Sequence, residues 1–302
     1  MHIALYHPQA GFYRRGNVFG TQGDYYTAEQ IQPVFGLLMR RIARRLLQNL
    51  PAPALRLQVV ELGAGRLEMA EAFSEWGYVP VDLDSDGLPQ EICGMVFANE
   101  FFDALPVEAV RWDGQTYRRM RVDFDRGRFR WWLGEPADGE LLRYLEAYAA
   151  PVEQGHILEV GLEALRWVDR VASSLQLGFL LAIDYGYEKD EMIRFPAGTL
   201  MSYRRHRALD DVLQNPGEQD ITAHVNLTAL HEYAASRGLR CRRRETLAQL
   251  LLRAGEEDEF GEVLSAEDPH EQMRRRLQLK TLLFGMGECF RVLLMEAGGA
   301  QQ

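Results

Sequence analysis

The chain is 302 residues long, carries a net charge of -10 and is 47% hydrophobic, enough to bury a sizeable core as one elaborated domain or a domain with a cap. No apolar run reaches transmembrane length and the amino terminus lacks the basic-then-apolar pattern of a secretory signal, so neither membrane insertion nor export is expected and a cytoplasmic setting is. Cys93, Cys241 and Cys289 are odd in number and lack metal-ligand spacing, so no metal site is expected; the acidic balance disfavours nucleic acid and suits a basic protein, or simply keeps the chain soluble.

In chain order, apolar Ile31, Phe35, Leu38, Ile42 and Leu46 predict a helix over 28–50, stopped by Pro51-Ala52-Pro53. Leu57 to Leu62 then reads as a buried strand, followed by Gly63-Ala64-Gly65 and by helical spacing over Arg66 to Phe73. Glycines at such a turn let the backbone approach a ligand closely, and a helix amino terminus favours electron-rich groups. A dinucleotide fingerprint would want a third glycine where Glu68 stands, and a pyrophosphate would be poorly served beside it. A phosphate-free cofactor with a cationic centre and a ribose, such as S-adenosylmethionine, tolerates these acidic surroundings better. That makes Glu61, Gly63, Ala64 and Gly65 candidate cofactor contacts. Tyr78 to Asp84 is a further short strand ending in carboxylates, and Asp82 and Asp84 suit a ribose diol or form a plain turn with Ser85, Asp86 and Gly87.

The apolar run Val96-Phe97-Ala98 ends in Asn99-Glu100-Phe101-Phe102-Asp103-Ala104-Leu105-Pro106. It reads either as a strand delivering polar groups to a crevice or as a buried strand followed by a helix capped by Asp103. Val107 to Val110, Thr116 to Phe124 and Arg128 to Leu133, separated by Asp113-Gly114 and Arg126-Gly127, predict an antiparallel meander. Helices are expected over 141–149 and 163–175, the second feeding a strand over Phe179 to Ile183 that ends in Asp184-Tyr185-Gly186. The stretch from Met192 to His224 matches neither period and is a candidate lid. A helix from Leu227 to Arg237 and strands over 239–243 and 289–295 would close the sheet, and Glu256 to Glu259 reads as a solvated face. The domain expectation is therefore 1–106 for the amino-terminal motifs and first half of the sheet, 107–150 for the meander and a helix, and 151–302 for the second half with a lid at about 190–226 and carboxyl-terminal helices.

These segments together resemble the MidA-like methyltransferases, whose mitochondrial member is a protein arginine methyltransferase that assists assembly of respiratory complex I. The resemblance runs from Tyr6-His7-Pro8-Gln9-Ala10-Gly11-Phe12-Tyr13 through Gly23-Asp24-Tyr25-Tyr26-Thr27-Ala28-Glu29 to Glu61-Leu62-Gly63-Ala64-Gly65-Arg66 and Asn99 to Pro106. It continues in Asp184-Tyr185-Gly186-Tyr187, in Gly198-Thr199-Leu200 with Tyr203, Arg204 and His206, in Pro216 to Val225, and in Gly285-Met286-Gly287-Glu288. It implies an α/β, Rossmann-like class I methyltransferase sheet with an inserted antiparallel β meander and a helical or loop lid, and S-adenosyl-L-methionine as cofactor. Two departures stand out. Leu67 and Glu68 replace a Gly-Thr of the family, and the chain between Gly65 and Asn99 is shortened after the second strand, where the family carries a strand that helps hold adenine.

Methyl transfer to arginine is an in-line displacement that asks for alignment, exclusion of water and a carboxylate to orient a guanidinium and take its proton. Glu100, with Asp103 and Asn99, is the expected catalytic group, and Glu29 joins the cofactor set or is helix-start acidity. Phe101, Phe102, Asp184, Tyr203 and His206 are the expected substrate side. The resemblance implies an arginine-containing protein acceptor such as a complex I subunit, and a homodimer is left open. A non-catalytic scaffold and a small-molecule methyltransferase are the alternatives.

Overall fold

The computed structural model describes residues 1–14, 28–51, 57–204, 207–209 and 211–298. It divides into two compact units, each assembled from three stretches of chain. The sheet unit holds Thr27–Phe101, Val168–Tyr185 and Ala234–Gln302; the insertion unit holds Met1–Tyr26, Phe102–Trp167 and Gly186–Tyr233.

In chain order the first elements are α1 (His2–Tyr6), α2 (Val34–Leu47), β1 (Gln58–Leu62), β2 (Gly77–Val81), β3 (Ile92–Asn99), β4 (Glu108–Trp112), β5 (Tyr117–Asp125) and β6 (Arg128–Pro136). There follow α3 (Gly139–Tyr148), β7 (Ile157–Val160), α4 (Leu162–Ser174), β8 (Leu175–Tyr187), β9 (Met201–Arg204), β10 (Arg207–Leu209), β11 (Asp220–Thr222) and β12 (Val225–Asn226). The chain ends with α5 (Leu227–Ser236), β13 (Arg240–Thr246), α6 (Leu247–Gly255), α7 (Gly261–Leu264), α8 (Pro269–Lys280) and β14 (Phe290–Ala297).

The main sheet runs β13-β14-β8-β3-β1-β2, parallel from β2 to β8 and antiparallel at β14 and β13. Every residue of β3 is buried, as a central parallel strand covered on both faces must be. The apolar stripe predicted over 28–50 does face this core: Val34, Phe35, Leu38, Met39 and Ile42 of α2 pack with Val59, Met95, Phe97 and Ile183. The helix itself begins only at Val34, after Pro33, with a short 3-10 turn at Ala28–Gln30 before it. The strand order reverses between β1 and β3, so the carboxyl ends of β1, β2 and β3 meet where ligands collect in open α/β sheets.

One expected helix is absent. Residues 66–73 form a series of turns closed by bonds such as Ala70 N–H to Leu67 O and Phe73 N–H to Met69 O, because Leu67 sits in the left-handed region at φ 63° and interrupts helical continuity. No helix amino terminus therefore stands beside Gly65 among the described residues. The region 247–286, within the part of the chain where carboxyl-terminal helices are expected without bounds, folds as α6, α7, α8 and a final helical turn, with α6 started by a Thr246–Gln249 capping box. Among its connections, Asp258 is bound by Arg41 and Glu257 by Arg45, so the acidic run at 256–259 is a tether for α2 as well as a solvated face.

In the insertion unit the meander β4-β5-β6 is extended by β7, which pairs with β4 to give a four-stranded antiparallel sheet in the order β6-β5-β4-β7. The stretch without clear period contains the three-stranded sheet β10-β9-β11. No helix among the described residues is long and apolar enough to cross a membrane.

Candidate functional site

The carboxyl end of β1 is shaped by two glycines that no side chain replaces easily. Gly63 has φ 71° and its N–H donates to Val81 O at 2.8 Å, and a Cβ built there would lie 3.0 Å from Cδ2 of Phe101. Gly65, at φ 47°, donates its N–H to Asp82 Oδ2 at 2.8 Å. The other oxygen of Asp82 accepts the Leu83 N–H at 2.7 Å, and the Ser85 hydroxyl closes the same turn on the Asp82 carbonyl. The structure thus brings Gly63, Ala64, Gly65 and Asp82 of the expected cofactor set together, with Asp82 holding the glycine turn in place. Asp84 lies on the exposed turn beyond it.

Beneath this turn lies a cluster of acids. Glu61 is buried at the end of β1 and accepts a hydrogen bond from the Tyr78 hydroxyl of β2. Glu29 is buried too and shares a hydrogen bond with Glu61. Burial pushes the Glu29 carboxyl well above the ordinary carboxylate range, reinforced by the charges of Glu61, Glu100 and Glu68. Burial also pushes Glu61 up, against the bonds from Tyr78 and Glu29 that hold it down. Tyr78 is raised in turn by burial and by the neighbouring Glu61 carboxylate. Two buried carboxyls in hydrogen-bond contact share a proton more readily than two negative charges, and any cation brought close would relieve them.

Glu100 follows β3 in the left-handed region, at φ 50°, a conformation costly for a side-chain-bearing residue. Its N–H donates to Ile183 O of β8 at 2.9 Å, and its Oε1 accepts the Ala28 N–H at 2.9 Å and the Asn99 side-chain amide at 3.4 Å. Those bonds fix the carboxylate beside the turn that carries Glu29. Asn99 is buried, and among the described residues its Oδ1 has no hydrogen-bond partner. Asp184, buried near the end of β8, accepts the Tyr185 N–H at 3.0 Å. Glu29, Glu61, Asn99, Glu100, Phe101 and Asp184 are therefore all held by the sheet unit.

Phe102, Asp103 and Tyr203 belong to the insertion unit. Asp103 is buried and its carbonyl accepts the Ala223 N–H at 3.0 Å. Tyr13 donates to Asp220 Oδ1 at 2.8 Å, and its hydroxyl is raised by burial first and then by Asp220, Tyr6 and Asp103. Tyr203 pairs with Asp220 across β9 and β11. Phe102 lines a small cavity with Tyr144, Glu159, His224 and Asn226. Glu159 is buried and pushed up by desolvation, although Thr199 donates to it from both its N–H and its hydroxyl, each at 3.0 Å. His206 lies outside the described residues.

Sequence reasoning quoted Tyr13, Asp220 and Thr199 as parts of motifs and assigned them no role; their partners lie 207 and 40 residues away, beyond any local pattern. Tyr78 could have been suspected from its place on β2 directly beside β1. Among the described residues, no group of three His, Cys, Asp or Glu could hold a metal ion. At the strand ends, two positive-φ glycines, an Asp-held turn and buried acids suit a ligand that is cationic, hydroxyl-bearing and free of phosphate.

Comparison with known proteins agrees with that chemistry. Residues 74–244 match a family model described as a putative S-adenosyl-L-methionine-dependent methyltransferase. The chain is 26% identical to the mitochondrial protein arginine methyltransferase NDUFAF7 homolog of Drosophila melanogaster, over 79% of its own length and 66% of that protein's. For the Xenopus tropicalis protein arginine methyltransferase NDUFAF7 the figures are 25%, 75% and 64%, so the chain spans just under two thirds of these relatives. A solved structure of a COG1565 superfamily member from Burkholderia thailandensis bound to S-adenosyl-homocysteine superposes with a TM-score of 0.88 at 27% identity, covering 98% of this chain and 86% of that one. The expected cytoplasmic placement is corrected here: these curated relatives are named mitochondrial.

Proposed function

Since the chain belongs to the family of S-adenosyl-L-methionine-dependent methyltransferases whose model spans residues 74–244, we propose that it moves a methyl group from that cofactor to an arginine side chain of a protein. The observation that carries this is the acid cluster of Glu29, Glu61 and Glu100 beside the Gly63–Gly65 turn. The residues present fit the cofactor. Asp82 stands at the end of β2, where its oxygens, each already taking one backbone N–H, keep a second lone pair for a ribose hydroxyl. The buried Glu29–Glu61 pair provides negative charge for a cationic sulfonium and ammonium.

Bound there, S-adenosylmethionine supplies a methyl group made electrophilic by its sulfonium. What the chain must do is bind, align and take a proton. Gly63 and Gly65 allow the backbone to come close, and a side chain at 63 would press on Phe101. Glu100 faces the protonated, planar guanidinium of an acceptor and accepts from one nitrogen, which directs the lone pair of the attacking nitrogen as its N–H proton passes to a carboxylate. The strained φ of Glu100 is held by its bonds to Ile183 and Ala28, which aim the carboxylate before the acceptor arrives. Within this reading the acceptor is a basic protein, and the resemblance to the complex I assembly family narrows it to a complex I subunit.

A non-catalytic scaffold is the second reading, and one observation favours it: among the described residues β2 is the outermost strand on its side, with no further strand to flank adenine. Calorimetric titration with S-adenosylmethionine and S-adenosylhomocysteine separates the two. Binding of both is expected, and absence of binding would sink the enzyme reading. With binding in hand, Glu100→Gln should retain cofactor affinity and lose methyl transfer to a basic protein acceptor by about 100-fold or more, scored by mass spectrometry of the acceptor. Unchanged turnover in that variant removes Glu100 from the mechanism.

A further inference from the structure

The β5–β6 hairpin of the insertion unit has one face made only of apolar side chains, and that face is open to solvent. Cross-strand partners Met120 and Leu133, Val122 and Trp131, and Phe124 and Phe129 lie at every second position along each strand, so all six project to the same side, while Arg121 and Asp123 of β5 and Arg130 and Trp132 of β6 project to the other. Five of them, all but Met120, are between 38% and 61% exposed. Phe124 and Phe129 are in contact at the tip, with ring centroids 5.0 Å apart. A strip of this kind, extending over three consecutive cross-strand pairs on an outermost hairpin, is an edge that unpartnered proteins usually blunt with inward-pointing charge.

We propose that this face is where a second copy of the chain docks, hairpin on hairpin about a two-fold axis through the Val122–Trp131 pair. Such an axis lays the Phe124–Phe129 pair of one copy over the Met120–Leu133 pair of the other, so the strip is complementary to itself, as an isologous interface requires. Charge points to the same occupant. Over residues 108–138 Arg111, Arg118, Arg119, Arg121, Arg126, Arg128 and Arg130 stand against Glu108, Asp113, Asp123, Asp125, Glu135 and Asp138, an excess of a single positive charge. Arg118 is paired with Asp113, Arg119 with Asp138, Arg121 with Glu135 and Arg130 with Asp125. On a chain of net charge -10 this is a nearly neutral region, where two like-charged copies can approach with little repulsion. An anionic bilayer would instead call for cations that are not already neutralised. An aromatic centre with an arginine and carboxylate rim also has the composition of a protein interface.

Two nine-residue strands give a face on the order of 30 Å by 10 Å, small against the ~800 Å² per partner of a standard interface, so the association should depend on concentration. The inference stands apart from the methyltransferase reading and its test involves no activity. Sedimentation velocity of the full chain, from roughly 1 to 100 µM, should show monomer passing into dimer. The double variant Phe124→Asp, Trp131→Asp should stay monomeric throughout with unchanged circular dichroism, because both side chains are exposed and their loss leaves no cavity. A wild-type chain that is monomeric at every concentration overturns the proposal. So does a dimer that survives in the double variant, or a monomer that floats with phosphatidylserine vesicles and loses this in the same variant.

Discussion

Glu29 and Glu61 are two carboxyls withdrawn from water that must answer for each other's charge, and that fixes how a cationic ligand would bind. Both are raised above the ordinary carboxylate value, so in the unligated protein the pair keeps a proton that a sulfonium would displace. Affinity for S-adenosylmethionine should therefore increase as pH rises through the titration of the pair, with proton release. The neutral thioether of S-adenosylhomocysteine should show a weaker dependence. Calorimetry in two buffers of different ionisation enthalpy reads the released proton directly, and Glu29→Gln should abolish that linkage. At Gly63 the constraint is steric. An alanine would have to hold φ 71° and keep its methyl 3.0 Å from Phe101, so Gly63→Ala should lower stability by roughly 1–2 kcal/mol in urea titration and weaken cofactor binding. The glycines and Glu61 were legible in the sequence because a strand, a turn and an acid follow one another in eight residues. The Tyr13–Asp220 bond was not, since only folding makes neighbours of residues 207 positions apart.

Among the elements, those that follow a period were readable and those shorter than a period were not. β3 and β8 announced themselves as apolar runs, and the meander as alternation around two glycine turns. The stretch from Met192 to His224 looked structureless because β9, β10 and β11 are three or four residues long, too short to display alternation. Its anchoring is instead chemical. Thr199 gives both of its donors to buried Glu159, its hydroxyl also accepts the His224 N–H at 3.0 Å, and Gly198 at φ 80° leaves space where a Cβ would lie 2.3 Å from Glu159 Oε1. Thr199→Val keeps the shape and removes the hydroxyl, leaving a buried carboxyl oxygen and a backbone N–H unmatched. That should cost about 1–3 kcal/mol in denaturant unfolding. Because the lost donor favours the ionised form, the Glu159 carboxyl should rise further and the penalty should be larger at higher pH. A pH-independent penalty would mean that Glu159 does not ionise in the folded protein.

For the molecule as a whole, carboxyls of opposite tendency act in separate pH windows. Glu75, Asp258 and Glu271 are held below their ordinary values by arginine partners, so the stability they contribute is present above the unfolded carboxylate value and is lost as pH falls through their folded values. All three pairs are at the surface, and the acid limb they produce should be shallow. Glu29, Glu61 and Glu159 are raised by burial, and for them the sign reverses. Between the unfolded value and the raised folded one, the folded chain binds more protons than the unfolded chain, so stability declines as pH rises. Self-repulsion in a chain of net charge -10 acts in the same direction, because ionising each acid adds to the excess. The unligated protein should therefore be most stable in mild acid, with a melting temperature that falls between about pH 5 and pH 8 at fixed ionic strength. Saturating S-adenosylmethionine, by compensating the Glu29–Glu61 pair, should flatten that decline more than S-adenosylhomocysteine does. A melting temperature that climbs across the same interval would show that these buried acids are already ionised in the folded chain, and with that the coupling of cofactor binding to proton release at the Glu29–Glu61 pair would fail.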